Sequence, residues 1–358
     1  MAGPERLQMK VLAASEAVWP ALLRTYSYLF RAFRWERFLK LTAVATVSEG
    51  FLVSFKFWVP RTLPFDVNTT ALKSLLLTPE FLPVTILGAA AVFLTAIYVY
   101  LLVIRLRFAF IHSLIHQTNE FRAAANLYSV EADRFFTACM LVWLGFLVAL
   151  TLMVVLVALA VYTVVGTPTA EGKLDPGNFL IMFFPCIGIA FALILAICAA
   201  KVVLSDFILP HMAIEGAPFR KAWGDVRVCI AQNRETFISY FILRMTMLLI
   251  AAMILGFFAW AAGAIVFAVL GMSAAGFNAM LDGTDDFRAV LLIVARLVFI
   301  LLGLGAGSAI AVSFGGPICV FLRSYALFYY GGHFKALGNL LEPPAPAYEE
   351  VERIAESC

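Results

Sequence analysis

The stretch Phe237–Leu270 reads FISYFILRMTMLLIAAMILGFFAWAAGAIVFAVL and contains one charged residue, Arg244. A helix needs about 20 mainly apolar residues to cross the hydrocarbon core of a bilayer. Because this stretch exceeds that length, it predicts a transmembrane helix that tilts or extends beyond the lipid.

Five more stretches have the same character. They are Leu39–Trp58, Leu82–Ile104, Phe136–Val165, Phe179–Leu204 and Ala289–Val312. Hydrophobic residues make up 63% of the 358-residue chain and charged residues only 14%, whereas soluble domains contain about 25% charged residues. The sequence therefore predicts an all-α, polytopic membrane bundle of six transmembrane helices.

The distribution of Lys and Arg predicts the orientation of this bundle. Nineteen of these residues fall in the N-terminal segment, in the connections after the second and fourth spans and in the C-terminal segment, and only four fall in the alternate connections. Since basic loops stay in the cytoplasm, we expect both termini to be cytoplasmic in a multi-pass inner-membrane protein. The net charge of +3 gives no indication of a nucleic-acid partner.

Segments between the spans have an amphipathic pattern. Apolar residues recur at helical spacing from Val18 to Phe33 and from Pro218 to Asn233, and less regularly from Phe108 to about Ala125. Their aromatic and basic content is typical of helices that lie in the membrane interface, so we expect membrane lipids as partners. The residues expected to contact lipid there are Trp19, Arg24, Arg31, Arg220, Lys221, Trp223 and Arg323.

We divide the chain into a cytoplasmic N-terminal interfacial region (1–38), a transmembrane domain (39–334) and a cytoplasmic C-terminal tail (335–358). Each amphipathic segment precedes a pair of spans, which suggests three tandem hairpin repeats of about 100 residues. The alternative is that every membrane entry converges on the same aromatic and charged residues, because interfaces favour them.

The end of the transmembrane domain leaves two paths open. Gly315, Gly316 and Pro317 interrupt the apolar pattern, and a further apolar stretch follows through Tyr330. Glycine and proline together disfavour a regular helix. The stretch after them either continues a kinked last helix or folds into the interface.

Charged residues inside the spans are the candidate functional residues. Glu49 is the acidic residue placed well inside a predicted span, while Lys56 is expected to reach the outer interface. Arg244 and Arg296 are expected to anchor their helices, or alternatively to bind a lipid phosphate. A pair between Glu49 and either arginine is left open.

Other patterns predict no chemistry. His112, His116 and Glu120 share one helical face, which we interpret as a polar surface because a zinc site normally needs three well-placed ligands. Asp282, Asp285 and Asp286 form an acidic loop, and small residues including Gly303 and Gly307 fit helix packing. We expect no catalytic residue, no metal site and no cofactor, and therefore no enzyme.

Several short motifs resemble a known family. They are Asp206–Pro210, Glu215-Gly216, Ala222-Trp223, Phe321–Leu327 and Arg107–Ile111. Together they resemble a loose group of bacterial six-span proteins labelled as the membrane domain of glycerophosphodiester phosphodiesterases. In those enzymes catalysis resides in a separate barrel domain, which this chain has no segment to form. The resemblance implies a bacterial membrane module and transfers no catalytic residue.

Two functions remain at this point. The first is a non-enzymatic membrane scaffold or lipid-organising module, with a protein partner or a homo-oligomer left open. The second is a transporter or lipid-handling permease that uses Glu49 and the intramembrane arginines. The helix-breaking residues at 315–317 favour the second, because broken helices often surround transport sites.

Overall fold

The structure is a computed structural model that describes residues 13–30, 33–49, 81–118, 120–165, 176–280 and 311–341, with a few single positions between 298 and 309. Within these residues the chain is helical and contains no strand. The α-helices are α1 (Val18–Phe30), α2 (Trp35–Ser48), α3 (Leu82–His116), α4 (Phe121–Leu127), α5 (Ser129–Val165), α6 (Pro176–Val202), α7 (Leu209–Glu215), α8 (Phe219–Gln232), α9 (Arg234–Met280), α10 (Gly316–His333) and α11 (Lys335–Leu341). Two π-helical segments, Val203–Ile208 and Ala311–Gly315, lead into α7 and α10.

Five stretches of the described chain are long and apolar enough to cross a membrane, which confirms the all-α class and indicates a membrane protein. They are Leu82–His116, Ser129–Leu159, Phe184–Glu215, Arg234–Phe258 and Val312–His333. The first four overlap predicted spans. The predicted span Leu39–Trp58 is described only as far as Glu49, and most of Ala289–Val312 lies outside the described residues.

The fifth stretch, Val312–His333, resolves the path that the glycine–proline motif left open. The π-helical segment Ala311–Gly315 runs directly into α10, so the chain stays helical through the motif. Pro317 lies in the first turn of α10, where its missing N–H costs no hydrogen bond within that helix. In contrast to the other candidate spans, 67% of its most apolar window is buried inside the protein.

Helix α10 is the centre of the core. It packs against α1, α2, α9, α11 and both π-helical segments. Around it, Tyr240 of α9 stacks between two tyrosines of α10, with ring centroids 5.2 Å from Tyr325 and 4.3 Å from Tyr329. Phe237 contacts Tyr329 of this cluster edge-on, and Phe207 contacts Tyr240 in a tilted arrangement and Phe237 edge-on. Offset and edge-to-face aromatic pairs each add about 0.5–1.5 kcal/mol beyond area burial.

The long helices leave this core with their apolar side chains exposed. No residue in the most apolar window of Leu82–His116 or Ser129–Leu159 is buried inside the protein. A helix that is apolar on all sides fits a hydrocarbon environment rather than water. The fold therefore has a densely packed base and apolar arms that are suited to contact with lipid.

Two of the three predicted amphipathic segments form separate helices, α1 and α8. Helix α1 buries a face of small and medium side chains that includes Ala21 and Tyr28, and leaves Trp19 and Tyr26 exposed. For the third segment, the prediction of a separate helix from Phe108 is corrected. From Phe108 it continues α3 without a break to His116, because its apolar face packs into the core rather than along a surface.

The first residues of the predicted C-terminal tail form a helix. Residues Lys335–Leu341 form α11, which packs against α10 and α7 and buries Leu337 and Leu341. The residues beyond Leu341 lie outside the described part of the chain.

The close approach of α2 and α10 gives a prediction about stability. A Cβ added at Gly316 would overlap Thr42 and lie 2.7 Å from its Cα. Gly316→Ala therefore forces the two backbones apart, and we expect a loss of about 1–3 kcal/mol in the free energy of unfolding. Unfolding in mixed micelles with increasing SDS measures it.

The control variant is Gly224→Ala in α8, because a Cβ at that position meets no atom within 4 Å. Replacing a helical glycine by alanine there should be neutral or stabilising by up to about 1 kcal/mol. Equal destabilisation by the two variants would contradict the packing described for Gly316.

Candidate functional site: a buried charge network

Four charged side chains from four different elements meet in the core. Glu49 follows the last residue of α2, Asp206 lies in the π-helical segment before α7, Arg244 lies in α9 and Arg323 in α10. We call these four residues the charge network. Their formal charges, two negative and two positive, cancel.

Arg323 connects the two acidic residues of the charge network. Its Nε donates a hydrogen bond to Glu49 Oε1 at 2.8 Å, and its Nη2 donates to the same oxygen. Its Nη1 donates to the backbone carbonyl of Ser205 at 2.6 Å and lies 3.4 Å from Asp206 Oδ1. One guanidinium therefore joins α10 to the end of α2 and to the π-helical segment.

Asp206 accepts hydrogen bonds on both carboxylate oxygens. Its Oδ2 accepts from Tyr240 Oη at 2.8 Å and from Arg244 Nε at 3.0 Å. Its Oδ1 accepts from Ser205 Oγ at 2.8 Å, in addition to the contact with Arg323. The carboxylate is satisfied by neighbours within the protein, as a buried charge requires.

The charge network is shielded from solvent. Asp206 is 0% exposed, Arg323 1% and Arg244 8%, while the side chain of Glu49 keeps 17% of its surface. Taking an ion out of water costs several kcal/mol, which is offset only by close pairing and further hydrogen bonds. The charge network is arranged in that way, and it positions four elements relative to one another.

Arg107 of α3 adds a fifth element at the edge of the network. Its Nε donates to the carbonyl of Ser48 at 2.5 Å, which is one of the carbonyls that the end of a helix leaves without an intrahelical partner. The end of α2, and with it Glu49, is thereby held against α3.

The structure describes two of the three intramembrane candidates, Glu49 and Arg244. Glu49 pairs with Arg323, and Arg244 pairs with Asp206. Of the two pairings that the sequence left open, Glu49 with Arg244 is not the observed one, because Arg244 forms its ion pair with Asp206. Arg296 lies outside the described residues, so its pairing with Glu49 stays a prediction.

Arg323 corrects a prediction. The sequence predicts it at the membrane interface in contact with lipid, but it is among the largest fully buried side chains of the protein. The reason is that α10 forms the core of the bundle instead of leaving it, so the guanidinium finds fixed carboxylate partners in place of lipid headgroups.

Asp206 is the network residue that sequence reasoning missed. The fourth predicted span ends at Leu204, so Asp206 is not among the predicted intramembrane charges. The signal was present, since Ser205 and Asp206 lie between the apolar residues Val202–Leu204 and Phe207–Leu209, and the run continues to Pro210. A lone acid within such a run points to a buried partner.

The predicted lipid-contact residues divide into two groups. Trp19, Arg220, Lys221 and Trp223 are exposed on α1 and α8, while Arg31 lies outside the described residues. Arg24 is half-buried and donates to the carbonyls of Leu114 and Ile115 at 3.1 and 2.6 Å. It caps the end of α3, which is a structural task.

Helix α1 is held to α3 by a second contact. Tyr28 Oη and Ser113 Oγ share a hydrogen bond of 2.6 Å, and Tyr28 is buried. Burial raises the pKa of Tyr28 to about 12, so its hydroxyl stays neutral at physiological pH. The position of α1 is therefore fixed by hydrogen bonds as well as by packing.

The other sequence motifs have simpler outcomes. The rings of His112 and His116 lie 4.4 Å apart, and His112 Nδ1 hydrogen-bonds Tyr128 Oη. Lys56, the acidic loop with Asp282, and the small residues Gly303 and Gly307 lie outside the described residues.

Comparison with known proteins shows the family of the chain. A family model matches residues 12–340, so the protein belongs to the family of unknown function DUF7544. No curated protein matches it significantly. No solved structure does so either. The resemblance to the membrane domain of glycerophosphodiester phosphodiesterases stays a prediction.

The charge network predicts a large difference between a buried and an exposed arginine. Arg323→Gln leaves Glu49 and Asp206 without their shared cation, and breaking a buried pair by removing one partner costs about 3–5 kcal/mol. We expect a loss of that size in the free energy of unfolding, measured by SDS titration in mixed micelles.

The matched control is Arg105→Gln, which removes the arginine of a surface pair with Asp133 at 2.9 Å. Exposed ion pairs contribute about 0–1 kcal/mol, so this variant should unfold close to the wild-type midpoint. If Arg323→Gln is as mild as Arg105→Gln, the charge network does not hold the core together.

Proposed function

We propose that the protein is a non-enzymatic, multi-pass membrane scaffold or lipid-organising module whose principal partners are membrane lipids. The observation that carries this proposal is the charge network, since its four charges are paired with one another across four elements. Such a junction serves to hold helices in place. The proposal assigns no reaction to it.

The outer surface supports lipids as partners. Helix α1 exposes Trp19 and Tyr26, each with 65% of its surface accessible, and α8 exposes Arg220 and Lys221. Aromatic side chains favour the headgroup region of a membrane, and basic side chains are attracted to anionic lipids.

An apolar groove between α1 and α10 offers a place for an acyl chain. It is open to the outside and has a volume of about 590 Å³. Its lining consists of Leu22, Leu23, Thr25, Tyr26, Phe30, Pro317, Ile318 and Phe321. Since no charged side chain lines it within the described part of the chain, it is suited to hydrocarbon rather than to a polar solute.

The proposal includes the arrangement in the membrane. We place the chain in the bacterial inner membrane with six spans and both termini in the cytoplasm, and the three tandem hairpin repeats stay an open prediction beside convergence of the membrane entries. The support is the uneven distribution of basic residues along the sequence.

Reporter fusions test this arrangement. A fluorescent protein fused after Cys358 should be fluorescent in intact cells, because its chromophore matures in the cytoplasm, and alkaline phosphatase at the same position should be inactive. The same reporters fused at the N-terminus are the control and should show a cytoplasmic N-terminus. An active phosphatase and a dark fluorescent protein at the C-terminus would then contradict six spans and favour an odd number.

The second candidate is a lipid-handling permease that uses Glu49, Arg244 and Arg296. Two observations favour it. A π-helical segment contains Asp206 and another leads directly into α10, and π-helical turns occur frequently at functional sites. Arg244 Nη1 is buried and has no hydrogen-bond partner within the described structure, which leaves the two N–H groups of this nitrogen available.

Retention of anionic lipid tests the main proposal. Native mass spectrometry of the protein in nanodiscs with equal phosphatidylglycerol and phosphatidylcholine should show selective retention of phosphatidylglycerol. Each basic residue near an anionic surface contributes about 1 kcal/mol, so Arg220→Gln with Lys221→Gln should weaken retention by roughly tenfold or more. Arg105→Gln should weaken it less, and no selectivity in the wild type would contradict the proposal.

Lipid translocation distinguishes the two candidates. Proteoliposomes with a fluorescent phospholipid, treated with dithionite, report movement of headgroups between leaflets. The scaffold proposal predicts the rate of protein-free vesicles. Translocation that Glu49→Gln abolishes while the protein stays folded would overturn it in favour of the permease.

A further inference from the structure

A second polar cluster lies at the corner between α7 and α8, apart from the charge network. His211 and Glu215 are four residues apart in α7, and Asp225 lies in α8. One ligand atom from each residue lies within 4.8 Å of the others. Within the described part of the chain, this is the group of three side chains that meets the geometry of a metal site.

The imidazole of His211 is buried and points into this cluster. The residue is 3% exposed, and its Nε2 forms no hydrogen bond with any residue that the structure describes. Two carboxylate oxygens, Glu215 Oε2 and Asp225 Oδ2, each lie 3.5 Å from Nε2. A buried polar atom with no hydrogen bond is costly, so a bound species between the three side chains would be favourable.

The spacing fits a bridging cation. A tetrahedral Zn²⁺ bound at about 2.1 Å from a nitrogen and an oxygen separates those two atoms by about 3.4 Å. The two observed separations of 3.5 Å match that value closely. They are longer than a good hydrogen bond between a ring nitrogen and a carboxylate.

The other nitrogen of His211 is already oriented. Nδ1 and Tyr330 Oη of α10 share a hydrogen bond of 2.9 Å. Metal-binding histidines use such an outer partner to fix the ring and its tautomer. In the tautomer that carries its proton on Nδ1, His211 donates this hydrogen bond to Tyr330 Oη, and Nε2 presents its lone pair to the cluster.

We propose that His211, Glu215 and Asp225 bind one divalent transition-metal cation, with Zn²⁺ as the reference ion. One imidazole and two carboxylates form a ligand set that suits zinc and neighbouring divalent metals. Three protein ligands leave a fourth position to water, and the half-exposed Asp225 gives access from solvent. The cation joins α7 to α8 and, through Tyr330, to α10.

Lys221 competes with the cation for one of its ligands. Its Nζ lies 3.1 Å from Glu215 Oε2, and its side chain is 60% exposed, so it is free to move away. A positive charge at that distance disfavours a second cation. Removing it should therefore strengthen metal binding.

The test is a titration of the purified full chain, stripped of metal, with Zn²⁺ in competition with a chromophoric chelator. We expect one equivalent bound per chain. Glu215→Gln and Asp225→Asn keep the size of partly exposed side chains while removing a ligand charge, and each should weaken binding by at least about tenfold. Lys221→Met should strengthen it several-fold.

The control is His116→Gln, which removes an exposed imidazole in α3 and should leave Zn²⁺ binding unchanged. Since His211 contacts Tyr330 and Phe334, a variant at 211 could disturb the fold, so the two carboxylate variants decide. X-ray absorption of the zinc-loaded protein should show one imidazole ligand.

Three outcomes would overturn the proposal. They are the absence of saturable Zn²⁺ binding, equal affinity in the wild type and both carboxylate variants, or loss of binding in His116→Gln. The three proposed ligands belong neither to the charge network nor to the predicted lipid-contact residues, and only the neighbouring Lys221 is shared with that surface. Failure of the site therefore leaves the proposed function standing.

Discussion

The fold depends on one constraint: charges placed inside an apolar bundle must be neutralised by neighbours that the bundle itself supplies. Glu49, Asp206, Arg244 and Arg323 belong to segments that are far apart in sequence, yet each has an opposite charge within hydrogen-bond distance. Because an unpaired charge at such a position would be strongly unfavourable, only arrangements that bring the four segments together are stable. Packing alone would tolerate small shifts of one helix along another, whereas these directional bonds do not.

The aromatic cluster around α10 stabilises the same core as the charge network. Tyr240 contributes its hydroxyl to Asp206 and its ring to the stack with Tyr325 and Tyr329, so one side chain links the polar and apolar parts of the core. The long helices leave this base with apolar surfaces on all sides, which is consistent with lipid as their main neighbour. The closely packed base and the exposed apolar helices support the proposed scaffold. The π-helical turns beside the charge network support the alternative proposal of a permease.

The sequence predicted some of these features well and others poorly, for physical reasons. Long apolar runs such as Phe237–Leu270 predict a membrane helix from composition alone, because a bilayer demands length and hydrophobicity. The role of Gly316 was not accessible in this way, since a glycine before a proline predicts a break, and only the neighbouring Thr42 shows that it allows close packing. Glu49 was identified as a buried acid, but its partner was not, because pairing depends on which helices are adjacent. Arg323 was misplaced for the same reason.

The measurement that tests the central claim most directly is a double-mutant cycle between Asp206 and Arg244. The free energy of unfolding is measured for the wild type, Asp206→Asn, Arg244→Gln and the double variant in the same mixed micelles. If the charge network holds the base together, the double variant should be less destabilised than the sum of the single variants by about 1–3 kcal/mol, as for residues in direct contact. Effects that add to within about 0.5 kcal/mol, as for independent sites, would contradict the account.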